Sequence, residues 1–355
     1  MKGLILSGGK GTRLRPITYT RAKQLVPVAN KPVLFYGLEA LVAAGIRDIG
    51  IVVGDTQAEI REAVGDGSRW NARITYIEQD APRGLAHAVL ISEAFIGGDP
   101  FVMYLGDNLL NRGIGPFVET FERERPAAQI LLARVPDPEM FGVAELDGQR
   151  VVRLVEKPKE PKSDLALVGV YMFGSAIFDA VKVITPSFRQ ELEITDAIQQ
   201  LIDRGLTVRP HIVEGWWKDT GKLEDMLEAN RLILDTMERR LDGTVDAESR
   251  IEGKVVIQAG ATIERSVVRG PAIIGAGARV FAAYVGPFTA IGDRAEIRET
   301  EIEHSIVLEG AIINGLAARV EDSLIGRHVR IYRLPVRPSA YRFMLGDNSE
   351  VGIRW

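Results

Sequence analysis

A run with the look of a buried strand, Gly3-Leu4-Ile5-Leu6, leads straight into Ser7-Gly8-Gly9-Lys10-Gly11-Thr12-Arg13-Leu14-Arg15-Pro16. Three glycines fall within four positions, with cations at Lys10, Arg13 and Arg15. Glycine lets backbone N–H groups approach a phosphate with no side chain between them, and arginine adds a fork that suits phosphate oxygens. Glycines alone fit a tight turn equally well; the cations are what point to an anion. Two familiar phosphate motifs are excluded. The Walker pattern needs Ser or Thr where Gly11 follows Lys10, and the dinucleotide pattern needs glycine where Leu14 stands. A second cluster, Lys23-Gln24-Leu25-Val26-Pro27-Val28 with Asn30-Lys31-Pro32, follows closely enough for Lys23 to cover the same phosphates. The absence of cysteine removes thiolate zinc sites, disulfides and cysteine nucleophiles together. His87, His211, His304 and His328 show no metal-ligand spacing and read as surface or structural residues.

The elements that must position this loop alternate in kind. Strand patterns at 3–6, 49–53, 74–77, 100–105 and 129–135 are interleaved with helical patterns at 32–44, 57–64, 85–95 and 115–125. That alternation implies βαβ units and a mainly parallel sheet, whose ligands lie beyond the carboxyl ends of the strands. Residues 141–213 hold more strands and fewer helices, and read as an insertion beside the site. A long amphipathic helix over 222–241 closes this part. With 355 residues the chain exceeds one ordinary core, and the spacing predicts domains at 1–242 and 243–355.

The second domain follows from a repeat. Ile251, Ile257 and Ile263 stand six apart, as do Val268, Ile274, Val280 and then Val285, Ile291, Ile297; Ile302 with Leu308, and Ile325 with Ile331, continue the step. Such hexads predict a parallel β-helix with a continuous inner aliphatic column. Slips at 263–268 and around Asn314 read as insertions at turns. A net charge of -4 argues against a nucleic-acid partner. The short apolar run at the N-terminus is too brief for a signal peptide or membrane span, so the expectation is a cytoplasmic protein.

The two N-terminal clusters resemble the signature of the sugar nucleotidyltransferases, and further similarity follows in that family's order. It includes Glu78-Gln79-Asp80, Gly84-Leu85-Ala86-His87-Ala88, Leu105-Gly106-Asp107-Asn108 and Phe141-Gly142-Val143. It continues through Glu156-Lys157-Pro158, Val168-Gly169-Val170-Tyr171, Arg189 with Glu191-Leu192-Glu193-Ile194-Thr195-Asp196, and Trp217-Lys218-Asp219-Thr220-Gly221. The hexad tail resembles the longer forms of the thymidylyl-transferring branch. The fold implied is α/β, a Rossmann-like mainly parallel sheet domain followed by a left-handed parallel β-helix.

The resemblance also implies roles. Gly8, Gly9, Gln79 and Gly84 would hold the base and nucleoside, with Gly11, Thr12 and Gln24 completing the nucleotide site. Arg13 and Lys23 would grip the triphosphate, and Asp107 and Asp219 would hold Mg²⁺. Lys157 would bind the sugar phosphate, with Asn108, Gly142, Glu156, Gly169, Tyr171 and Arg189 around the sugar. His87 stands where the shorter forms suggest Gln. The implied reaction joins dTTP and glucose 1-phosphate into dTDP-glucose with release of pyrophosphate. UTP, ATP or CTP would be rival donors, and an acyltransferase activity in the hexad domain a rival second function. Hexad prisms often associate side by side, which leads us to expect a homo-oligomer.

Overall fold

The computed structural model describes residues 1–9 and 11–334, so Lys10 and the positions after Leu334 lie outside the described residues. The first strand, Lys2–Ser7, pairs in parallel with Asp48–Val53 on one side and Phe101–Leu105 on the other. Asp48–Val53 pairs in parallel with Arg73–Glu78. The first three of these strands are near-continuous apolar runs, as strands covered on both faces require. Helices Val33–Ala43, Gln57–Val64 and Leu85–Ile91 make the connections. The helix expected over 85–95 breaks at Ser92, whose hydroxyl donates to the Ala88 carbonyl at 2.7 Å; a second turn, Glu93–Ile96, follows. A serine that competes for the i−4 carbonyl in this way weakens the helix at that point.

Beyond this parallel group the nine-stranded sheet turns mainly antiparallel, although Val208–Ile212 runs parallel to Ala128–Arg134. Leu165–Phe173 is buried throughout and runs against Phe101–Leu105, Ala128–Arg134 and Gly142–Asp147. Its register shifts between Leu167 and Tyr171, around Gly169 at φ 79°. The 141–213 segment is therefore strand-rich, as its sequence indicated. A two-stranded ribbon, Asn108–Leu110 with Trp217–Asp219, lies at the carboxyl edge of the parallel strands.

The closing helix spans Leu223–Thr236 rather than 222–241. Met237 is extended, and Arg240–Leu241 already pairs with Val256–Ile257. Glu238, Arg239 and Arg240 are good helix formers, so local propensity continues where tertiary strand pairing takes over.

From there the chain winds into three stacked parallel sheets of six, six and four strands, the architecture of a left-handed parallel β-helix. Ile251 pairs with Val268, Val268 with Val285 and Val285 with Ile302. Each of these coils thus takes 17 residues, in steps of six, six and five. The slip from Ile263 to Val268 is this regular five-residue step and not an insertion. A further expectation needs correcting. Val307, not Leu308, occupies the inner column, paired with Ile291 and Ile325, because a second five-residue step follows the regular one that ends at Ile302, and the coil from Ile291 to Val307 is 16 residues long. Leu308 turns outward. It joins Val256, Ile273 and Ile306 in one buried cluster with Leu14, Val26, Val28, Val33, Met226 and Leu227 of the α/β part. Burying those four β-helix side chains contributes a gross 6–12 kcal/mol or so. The two parts therefore share a core. The slip around Asn314 is real, since Val320 is the residue that bridges to Ile302.

Candidate functional site

At the carboxyl end of Phe101–Leu105 the chain turns at Gly106, whose amide donates to the Leu6 carbonyl at 2.9 Å. Asp107 follows. In the adjoining ribbon Asp219 lies opposite Asn108, so two carboxylates far apart in sequence meet across one strand pair. Thr220 fastens the arrangement: its amide and its hydroxyl both donate to the Asp107 carbonyl, at 3.0 and 2.7 Å. Asn108 Nδ2 donates to Asp107 Oδ1 at 3.0 Å, and Trp217 Nε1 donates to Asn108 Oδ1 at 2.6 Å. The Lys23 ammonium donates to Asp107 Oδ2.

The electrostatics separate the two acids. Burial opposes ionisation of Asp107, but the Lys23 ammonium, by charge and hydrogen bond, holds its carboxyl below the usual range. Burial likewise pulls at Lys23, and Asp107 outweighs it, keeping the ammonium above its ordinary value. Among the described residues Asp219 has no such donor: its Oδ1 is buried and without a hydrogen-bond partner there. Burial, and then the Asp107 charge, push its carboxyl up to about 6. An orphaned buried carboxylate oxygen beside a second carboxylate fits a hard divalent cation, which needs only oxygen donors and keeps several waters. Among the described residues no group of three or more potential metal ligands gathers.

Two cavities meet at the acids. The smaller, about 350 Å³, is lined by Gly8, Gly9, Gln24, Gln79 and Gly84. The larger, about 770 Å³, is lined by Asn108, Gly142, Gly169, Tyr171, Trp217 and Asp219. Arg13, Asp107, Glu156 and Lys157 belong to both walls. Lys157 reaches that wall from a left-handed backbone, φ 44°, with its amide bonded to the Phe141 carbonyl at 3.0 Å. A lysine held in this region costs about 1–3 kcal/mol.

In the smaller cavity Gln24 is almost wholly buried, and among the described residues its Oε1 lacks a partner. Gln79 Nε2 bonds His87 Nδ1 at 3.0 Å, while its Oε1 faces Gly8. Burial, and then the Arg83 charge, lower the His87 pKa. The neutral ring then accepts at Nδ1 and carries its proton on Nε2. His87 at this position therefore orients Gln79. Gly84 adopts φ 100°, and a Cβ there would lie 2.4 Å from the Leu192 carbonyl oxygen. Gly11 and Thr12 line neither cavity. They form the turn that delivers Arg13, which lies against Gly221.

Around the larger cavity, Gly142 packs on Thr195, Leu167 and Glu156. Tyr171 stacks on Phe173 at 5.8 Å. Burial, and then Glu193, raise the Glu156 pKa against the pull of Lys157 and Arg189. Arg189 itself lines the smaller cavity and not the larger, with Glu156 at 3.4 Å, Glu191 at 3.1 Å and Glu193 at 3.5 Å. The clamping roles of Thr220 and Trp217, and the buried Glu193 beside Glu156, were not assigned from sequence. All three lie inside quoted motifs, but nothing in a linear pattern says which atom meets which.

The profile of the nucleotidyl transferase family matches residues 2–236. A glucose-1-phosphate thymidylyltransferase of Streptomyces griseus is 58% identical over 354 residues, covering 99% of each chain. One from Streptomyces antibioticus is 57% identical over 356 residues, covering 100% of each. Among solved structures, a Bacillus anthracis chain described as a glucose-1-phosphate thymidylyltransferase in complex with sucrose superposes with a TM-score of 0.62. It is 39% identical and covers 65% of this chain and 94% of its own.

Proposed function

We infer the reaction from kinship: the chain belongs to the nucleotidyl transferase family, and it transfers a thymidylyl group from dTTP to glucose 1-phosphate, giving dTDP-glucose and pyrophosphate. Identity along the whole chain to thymidylyltransferases carries the choice of nucleotide. The pair of cavities that meet at one charged wall supports the placement of the substrates. The base and deoxyribose occupy the smaller cavity, with the Gln79 amide reading the pyrimidine edge. The sugar occupies the larger one, against Gly142, Glu156 and Tyr171.

A phosphate oxygen of glucose 1-phosphate attacks the α-phosphorus; a new P–O bond forms as the bond to the β-phosphate oxygen breaks, and pyrophosphate leaves in line. The nucleophile is already ionised at neutral pH, so no general base is required. Two anions must instead be held together, and catalysis is mainly positioning and charge neutralisation. Arg13 and Lys23 bind the triphosphate, and Lys157 binds the sugar phosphate at the shared wall. Asp107 and Asp219 are the residues that would hold Mg²⁺. When bound, the ion supplies positive charge to phosphate oxygens. Arg189 lies toward the nucleotide in this reading, as a partner that keeps Glu156 and Glu193 in place. We place the enzyme in the cytoplasm as a homo-oligomer; among the described residues no helix is long and apolar enough to cross a membrane.

The deciding experiment measures pyrophosphate release from glucose 1-phosphate with dTTP, UTP, ATP and CTP, with Mg²⁺ and with a chelator. We expect dTTP to be the preferred donor and the chelator to abolish turnover. A preference for ATP or CTP would overturn the assignment.

A further inference from the structure

Directly after Lys23–Leu25 the chain forms a tight hairpin, Pro27–Val28 against Lys31–Pro32, with Ala29 and Asn30 at its tip. Both tip residues are left-handed, at φ 47° and 61°. This suits asparagine, but alanine at such a position costs about 1–2 kcal/mol, so the surroundings must hold it. They do so through polar contacts with the β-helix. Asn30 Nδ2 donates to the Ile291 carbonyl at 2.7 Å. The Ala29 amide donates at 2.9 Å to Oδ1 of Asn230, a fully buried residue of helix Leu223–Thr236. Asn230 in turn donates through Nδ2 to the Phe288 carbonyl at 2.9 Å. Two asparagines thus tie the hairpin tip to a single β-helix strand and the turn before it.

The same face receives the other half of the phosphate loop. Leu14 and Ile17 pack in the cluster that contains Leu308 and Leu324. The Lys23 turn is joined to the hairpin by the Val26 amide, which donates to the Lys23 carbonyl at 3.1 Å, and Val33 closes back on Val26 at 3.3 Å. The segment carrying Lys23 and Gln24 therefore has its far end fixed on the β-helix. Apolar contact alone would join the two parts without fixing a register. Side-chain amides bonded across the contact, the buried Asn230 through both ends of its amide, specify one.

We propose that the β-helix is a working part of the triphosphate site, with Asn30 and Asn230 as positioning residues that set the Lys23–Gln24 segment against the nucleotide. The proposal rests on the reading of Lys23 as a triphosphate ligand. Two variants test it. Asn30→Gly keeps the left-handed turn but deletes the donor to Ile291. Asn230→Asp keeps the acceptor for Ala29 but deletes the donor to Phe288. In both, the KM for dTTP should rise about tenfold, the effect of one lost hydrogen bond. The KM for glucose 1-phosphate should stay within about twofold of the parent, and hydrogen exchange of the amides from 23 to 29 should accelerate. If Asn230→Asp fails to fold, Asn30→Gly decides alone. An unchanged KM for dTTP would overturn the proposal, as would equal rises for both substrates accompanied by a lower melting temperature, which is the mark of a merely structural role. Lys23→Ala is the control. Unchanged dTTP kinetics there would remove the triphosphate reading itself, and the proposal with it.

Discussion

Burial and the neighbouring Asp107 oppose the charge on Asp219 more than Lys23 and Arg13 favour it. Its carboxyl is pushed up to about 6 from an ordinary value of 3.8, which corresponds to a penalty on the order of 2–3 kcal/mol when it is ionised. The sign follows from linkage: the folded state holds this proton more tightly than the unfolded state, so the stability that Asp219 itself contributes is fully present below about pH 4 and is lost as pH rises through about 6. Asp219→Asn should therefore melt higher than the parent at pH 8 without metal. That advantage should shrink between pH 6 and 4 and vanish below. The same variant should lose ~10²–10³ in turnover and gain less stability on adding Mg²⁺. Scanning calorimetry across pH, with and without Mg²⁺, checks this; equal melting at pH 8 would mean that Asp219 is not strained as an ion. Lys157 poses the same trade at its backbone. Lys157→Gly should stabilise by about 1 kcal/mol, by relieving the left-handed strain, while turnover falls ~10²–10³-fold as in Lys157→Ala. Near-normal pyrophosphate release in either variant would remove the residue from its role.

At the scale of elements, the site depends on turns that bring strand ends close together. Gly84 opens the helix Leu85–Ile91 with its Cα against the Leu192 carbonyl. Gly84→Ala should cost about 3 kcal/mol or more and weaken dTTP binding, because Gln79 and His87 flank that turn. Thermal melting together with dTTP titration would show it, and a parent-like variant would mean the loop yields easily. Gly169 does the same for the larger cavity: a Cβ there would lie 3.0 Å from Asn108 Oδ1, the atom that accepts from Trp217. The sequence displayed these glycines inside ordered motifs, and it displayed the strands that end at Ser7 and Leu105. It could not display the five-residue step that recurs in the β-helix, because a single slip in a hexad looks like an insertion until coils are stacked. Nor could it display the end of helix Leu223–Thr236, where the residues that follow favour helix locally and pair as strand only against the next coil.

For the whole molecule, neighbouring residues at the domain contact separate two kinds of stability. Leu308 faces the α/β part, and Val307 faces the inner column. Leu308→Asp should leave the β-helix intact but uncouple the two parts. Burying an unpaired carboxylate there costs several kcal/mol, and calorimetry should resolve two transitions in place of one. Val307→Asp should instead destroy the β-helix transition. If both variants melted as single units at the same temperature, the shared core would not couple the parts.

The phosphate loop and the hexads were legible in the sequence, because each demands particular residue types at short spacings. Resemblance carried the substrates from there. What only the tertiary structure decided was adjacency. Asp107 met Asp219 through one pairing of strands, Arg189 fell in the wall of the smaller cavity, and a hairpin tip came to rest on a distant coil. Contacts of that kind join residues remote along the chain, and no local period or propensity encodes them.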